Sequence, residues 1–248
     1  MKLIILGSGT CVPSLKRSAP ANYLEAENRQ ILIDCGSGTL LQLEKSGKSY
    51  KDIDAIFVTH THPDHVAGIM PIIHALLATP LFRREKELLL IGPKGFKKFY
   101  EQCIASVMGK PRTFSMQIIE IEDKMDYPPF YVLTAGTVHS ENSIAYRFEH
   151  QGKSVVITGD ADYDQGIVEL SKNCDLLIAD CSFVEAMKAG SHMTPRECGL
   201  VAREAGVKKL LLSHLHTLPF PDTDRLKECK QVFHGNVTLA EDLLEINL

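Results

Sequence analysis

No two of the seven cysteines form a CxxC pair; they are scattered at Cys11, Cys35, Cys103, Cys174, Cys181, Cys198 and Cys229. Reduced thiols in a cytoplasmic protein are therefore the expectation. A basic excess is also missing. There are 27 Lys and Arg against 31 Asp and Glu, for a net charge of -4, so no polycationic surface points to a long nucleic acid partner such as tRNA or DNA. No apolar run reaches the length of a membrane span. The opening Met1-Lys2-Leu3-Ile4-Ile5-Leu6-Gly7 is too short in its apolar part for a signal peptide and reads as a first strand. Low-complexity linkers and charge blocks are absent as well, and a chain of 248 residues can bury a full-sized core. The expectation is a single domain over residues 1–248.

Short apolar runs alternate with helical patterns. Strands are predicted over 2–6, 22–26, 30–33, 55–58, 88–91, 117–121, 130–133, 144–148, 154–157, 176–179, 209–212 and 243–246. Helices are predicted over 39–46, 66–78, 95–107, 164–171, 195–205 and 223–233. Thr194-Pro195-Arg196-Glu197 is a strong helix start, with Thr as N-cap, Pro at the first helical position and an acid in the first turn. A weak two-fold character follows, since each half has strands, helices and metal-type ligands.

The densest chemistry is His60-Thr61-His62-Pro63-Asp64-His65, directly after the apolar run at 55–58. Imidazoles at alternate positions of an extended chain point to one side. Asp64 and His65 follow where a turn starts the next helix, so one short loop can serve two borderline-soft divalent ions. The same placement recurs at other strand ends. Asp34, His60, His139, Asp160, Asp180 and His214 each close or follow an apolar run, and sheets of this kind gather function along the edge where the loops leave.

These residues carry a resemblance to the metallo-β-lactamase superfamily of hydrolases over essentially the whole chain. Leu6-Gly7-Ser8-Gly9-Thr10, Leu32-Ile33-Asp34-Cys35-Gly36-Ser37-Gly38, Thr59 to His65, His139, Thr158-Gly159-Asp160 and Leu212-Ser213-His214 stand in the family's order. The resemblance implies an α/β fold, a four-layer αββα sandwich of two mixed β-sheets flanked by helices. It implies two divalent ions, Zn by expectation with Mn or Fe fitting the same set. His60, His62 and His139 would hold the first ion, Asp64, His65 and His214 the second, and Asp160 both. Asp34 would orient a ligating His through its other ring nitrogen, whereas Asp180 reads equally well as a turn carboxylate.

Such a pair of ions can share a bridging water, acidified from about 15.7 toward about 7, as the attacking hydroxide. Two zinc ions, two carboxylates and a hydroxide leave the cluster near about +1, which welcomes a phosphodiester monoanion. His192, in Ser191-His192-Met193-Thr194-Pro195, is the candidate proton donor to the leaving oxygen, and Asp64 is a second catalytic candidate at the attacking water. This segment resembles the one that carries a non-ligand His in the ribonuclease Z and phosphodiesterase branches, and Leu6 to Ser14 resembles a ribonuclease Z opening. One departure stands out. Ribonuclease Z carries a long tRNA-gripping arm, commonly after the bridging Asp, whereas residues 161–174 here form a short helical pattern with Asp162, Asp164 and Glu169, which would repel an RNA backbone. The expectation is a phosphodiesterase for a small or short phosphodiester. Alternatives are tRNA 3′-processing or a lactone or thioester hydrolase on the same metals. A homodimer is compatible with such relatives.

Other residues weigh less. His74 reads as packed or half-buried, and His150 and His234 as solvated. His216 is a candidate pocket wall, as are the loops 110–115 and 218–222. Gly7-Ser8-Gly9-Thr10 reads as a tight turn, and Lys16 and Arg17 as an exposed basic loop.

Overall fold

The structure is a computed structural model that describes residues 1–217 and 222–248; the expected pocket wall at 218–222 lies almost wholly outside the described residues. The first half supplies β1 (Lys2–Gly7), β2 (Ala21–Ala26), β3 (Arg29–Cys35), β4 (Ala55–Phe57), β5 (Leu88–Gly92) and β6 (Met116–Glu120). The second supplies β7 (Lys124–Tyr127), β8 (Phe130–Gly136), β9 (Ile144–His150), β10 (Lys153–Ile157), β11 (Leu176–Asp180), β12 (Lys209–Ser213) and β13 (Asn236–Leu239), and β14 (Glu245–Asn247) returns to the first sheet. The sheets run in the orders β14-β1-β2-β3-β4-β5-β6 and β13-β12-β11-β10-β9-β8-β7. Each is mixed in the same way: antiparallel pairs on one side, and parallel pairs from β3 to β6 and from β10 to β13 on the other.

Alternation along the strands builds the layers. Leu3 and Ile5 of β1 join Phe57, Tyr146 and Phe148 in the core between the sheets. Ile4 and Leu6 face the other way, onto Ile69, Ile72, Ile73 and Leu76 of the helix Ile69–Ala78. On the far side, Leu177, Ala179 and Leu210 pack against Val201 and Ala202 of the helix Pro195–Glu204. These three cores separate four layers, the expected αββα order.

Several boundaries differ from the sequence expectation. The helix expected over 66–78 starts earlier as Pro63–Val66 and resumes as Ile69–Ala78, because Gly68 lies against the end of β3, with room for no Cβ beside Gly36 O at 2.5 Å. The helix expected over 95–107 contains a π-helical stretch, Tyr100–Ala105. Strands β7 and β13 were not expected; both are four-residue edge strands, too short and polar to show a period. The capping box at Thr194 and Glu197 forms as expected.

Candidate metal centre

The parallel strands end on one edge, and the polar groups collect there. Asp34 lies in β3 and Asp180 in β11, and His60, Asp160 and His214 follow β4, β10 and β12 by one to three residues. His62 is the extended residue ahead of the helix Pro63–Val66, with Pro63 at its first position and Asp64 in its first turn. His139 follows β8. Asp34 and His214 adopt positive φ, 60° and 55°, a conformation that costs a non-glycine residue free energy and is found where a site demands it. Gly159 must be glycine: φ is 59° and a Cβ would stand 2.6 Å from Thr59.

The hydrogen bonds behind the imidazoles decide where their protons sit. A carboxylate only accepts, so Asp34 Oδ2, 2.7 Å from His65 Nδ1, fixes that proton on Nδ1. Thr59 Oγ1 donates to Asp34 and so accepts from His60 Nδ1 at 3.1 Å. The Ser191 carbonyl accepts from His139 Nδ1 at 3.2 Å. Ser182 Oγ donates to Asp180 Oδ1 at 2.7 Å and so accepts from His214 Nδ1 at 2.8 Å. In the neutral form that binds a metal, four imidazoles are thereby left with a bare Nε2, and all four aim at Asp160. His65 and His214 reach its Oδ1 at 3.0 and 3.2 Å, and His139 and His60 reach Oδ2 at 3.5 and 3.7 Å. His62 Nδ1 joins the second group, 3.0 Å from both His60 Nε2 and His139 Nε2. Asp64 Oδ2 joins the first, 3.5 Å from His214 Nε2.

Lone pairs facing a carboxylate repel unless a cation lies among them. His65 Nε2, His214 Nε2 and Asp160 Oδ1 are buried without a hydrogen-bond partner, a costly condition. The donor set, imidazole nitrogens and carboxylate oxygens, suits a divalent transition ion, so the residues fit the group. Two clusters of donor atoms within 4.8 Å of one another, His60, His62, His139 and Asp160 on one side and Asp64, His65 and His214 on the other, are each suited to an ion. Titration divides the rings: His60 and His139 are held neutral, whereas His65 and His214 attract a proton where a cation would otherwise stand. Burial, with His65 close by, pushes His60 down to about 2. Burial opposes charge on His214 as well, yet the neighbouring carboxylates, Asp160 first and then Asp180 and Asp64 at 3.6 and 3.5 Å, lift it to about 10. Asp160 is held well below the usual carboxylate range, because His214 and His65 outweigh its burial. The site draws positive charge to itself.

Asp180 is more than a turn carboxylate. It is 2% exposed and accepts from the Ala161 and Ser182 amides, from Ser182 Oγ and from His192 Nδ1 at 2.7 Å. His192 stacks on His214 with centroids 5.6 Å apart and meets His139 edge-on at 4.9 Å. Burial lowers His192, but the bond to Asp180 and the Asp180 charge raise it overall above the ordinary histidine value.

The remaining residues are distributed as follows. His216 lies beside the cluster, its centroid 6.5 Å from that of His214. His74 is exposed, not packed: Ile69, Ile72, Ile73 and Leu76 form the buried stripe of its helix, and position 74 falls outside it. His150 is half-buried, its Nδ1 3.0 Å from the Pro129 carbonyl; His234 is exposed. Lys16 is exposed, but Arg17 is not a free basic group: its guanidinium bonds Ser8 Oγ, the Ala240 carbonyl and Asp222. Sequence reasoning missed Thr59 and Ser182, whose hydroxyls relay the carboxylates to the rings, and Phe183, which stacks on His216. A hydroxyl one residue before a candidate His, as in Thr59-His60 and Ser213-His214, is no guide, since Thr59 takes this role but for His214 it is Ser182, from the loop after β11, that does so.

Known proteins bear on this geometry. The probable metallo-hydrolase YhfI of Bacillus subtilis (strain 168) is 30% identical over 249 residues, covering 97% of each chain. Its crystal structure, described as a metallo-beta-lactamase fold protein, matches with a TM-score of 0.87 at 25% identity, over 99% of this chain and 98% of that one. Ribonuclease Z of Archaeoglobus fulgidus is 27% identical over 311 residues, covering 100% of this chain and 97% of its own. The short form of human tRNase Z matches with a TM-score of 0.79 at 26% identity, over 100% of this chain and 99% of that one. The chain is a metallo-hydrolase of the metallo-β-lactamase fold, near ribonuclease Z. Within that class, residues 1–235 match the family described as Anti-Pycsar protein Apyc1, and the chain belongs to it.

Proposed function

We propose that the chain is a dinuclear metal-dependent phosphodiesterase for a small or short phosphodiester. The observation that carries it is the aim of four bare Nε2 atoms at the two oxygens of Asp160, two at each. His60, His62 and His139 would hold one divalent ion, Asp64, His65 and His214 the other, with Asp160 shared and zinc the expected metal. When bound, two such ions supply Lewis-acid charge for a phosphoryl group and a water acidified toward neutral pH.

The chain's own residues complete the chemistry. Asp34 and Thr59 lock the rings of His65 and His60, and Ser182 locks that of His214. Asp64, half-buried at the rim, is placed to accept a proton from the attacking water. His192 has Nδ1 committed to Asp180, which leaves Nε2 on the other side of its ring. With its affinity for a second proton raised by Asp180, it donates a proton to the departing alkoxide. A phosphodiester needs that donor, because its leaving oxygen otherwise departs as a strong base.

A small substrate is favoured over a long RNA by two features. The match to the Archaeoglobus ribonuclease Z runs over 311 positions, more than this chain has, so that relative carries segments missing here; the match to YhfI needs 249. Between Asp160 and β11 stands only the helix Gln165–Leu170, with Ile167 and Val168 buried, and no arm. A tRNA 3′-processing activity is the second reading, supported by the likeness to ribonuclease Z. Zinc-loaded protein offered bis-nitrophenyl phosphate, a tRNA precursor, nitrophenyl acetate and an acyl lactone separates these. Cleavage of the diester is the expected result; activity confined to carbon esters would sink the phosphodiester reading.

A further inference from the structure

Among the described residues, three rings lie against His192. Two of them, His139 and His214, are turned on Asp160. The third, Phe183, has no part in holding a metal or a proton. Its centroid lies 5.9 Å from that of His192, edge-on at 72°, and 5.0 Å from that of His216, stacked at 26°. His216 is fixed at both ends. Its Nδ1 lies 3.2 Å from Thr10 Oγ1, and its carbonyl accepts from Arg225 Nη2 at 2.8 Å, a side chain only 1% exposed. The stacked pair is therefore preorganised, and both of its rings remain partly open to solvent.

A leaving oxygen must come within hydrogen-bond reach of His192 to take its proton. Whatever that oxygen carries then lies a few ångströms beyond the His192 ring. Among the described residues, the ring beside His192 that lies outside the proposed ligand set is Phe183, stacked on His216. Aromatic partners gain from offset or edge-on contact at about 4.5–7 Å between centroids, beyond the area they bury.

From this we infer that Phe183, held by His216, is the specificity-determining wall for the leaving group, and that it selects a planar aromatic group over an aliphatic one of equal acidity. The inference rests on the phosphodiesterase reading above and deepens it. Its test compares methyl phenyl phosphate with methyl hexafluoroisopropyl phosphate, whose leaving groups are comparably acidic while only one is flat. The kcat/KM ratio of the two esters is measured for the zinc-loaded full chain, for Phe183→Leu and for Phe183→Tyr. The ratio is expected to fall about tenfold in Phe183→Leu, mostly through the KM of the phenyl ester, and to hold in Phe183→Tyr, which keeps the ring. An equal loss on both esters, or an unmoved ratio in Phe183→Leu, would overturn the inference and leave Phe183 a packing residue. If the metal-loaded parent protein turns over neither ester, the phosphodiesterase reading fails first and this inference falls with it.

Discussion

Asp34 in the first sheet and Asp180 in the second are counterparts. Each sits at the end of β3 or β11, is at most 2% exposed, and binds both the amide and the hydroxyl of a Ser or Thr, Thr59 for one and Ser182 for the other. Each also grips an imidazole at 2.7 Å. The difference is in which imidazole. Asp34 holds His65, whose other nitrogen faces Asp160. Asp180 holds His192, outside the proposed ligand set, and reaches His214 only through Ser182. In the proposed reading, the first half of the chain thus builds a cradle for cations. In the same reading, the second half couples a cradle to the proposed proton donor, His192, through one carboxylate. A two-fold scaffold has been given two different tasks by changing which ring its buried acid touches.

Substitutions can break that comparison, and the largest effect is expected where the halves meet. Asp160→Ala, or His62→Ala, is expected to lower turnover by about a thousandfold or more and to strip metal, read by elemental analysis of the purified variant. His192→Ala is expected to retain metal and to lose about a hundredfold in kcat on a diester with a poor leaving group, with much less loss on a nitrophenyl ester, which needs no proton. Loss of metal in that variant would contradict the division of labour. Asp34→Asn should show the opposite pattern: metal affinity weakened about 10–100-fold, with turnover recovered as metal is added in excess.

A third carboxylate sharpens the contrast. Asp175, at the opposite edge of the second sheet, accepts from the Ser154 amide and from Lys208 Nζ, both at 2.9 Å, and has no ring behind it. Burial opposes its ionisation, but the Lys208 and Ser154 bonds win and hold it below the usual carboxylate range. A depressed folded value means stability that is present above the unfolded carboxylate pKa and lost as pH falls through the folded one. Asp175→Asn should therefore lower Tm by about 2–4 °C at pH 7, with the gap closing below about pH 4. Activity should follow folding alone.

Much of this centre is legible in the sequence. His60, His62, Asp64 and His65 lie within one turn of chain, so local geometry alone brings them together. Asp34, Asp160 and His214 mark ends of apolar runs, and parallel strands deliver such ends to one edge. The relays were not legible. Ser182 reaches Asp180 within its own loop but serves His214 on the neighbouring strand, and nothing in the spacing announces it. Phe183 looked like any apolar residue after a strand. Arg17 read as exposed because loops usually are, and its burial depends on Ala240 and Asp222, more than 200 positions away. Local chemistry was written in the sequence; the contacts that tune it depend on which strands become neighbours.

The central claim is that two cations fill the space around Asp160. Anomalous diffraction at the zinc edge, on crystals of the metal-loaded protein, measures this directly. Two peaks are predicted, one among His60, His62 and His139 and one among Asp64, His65 and His214, with Asp160 between them. A single peak, or peaks away from Asp160, would contradict the account.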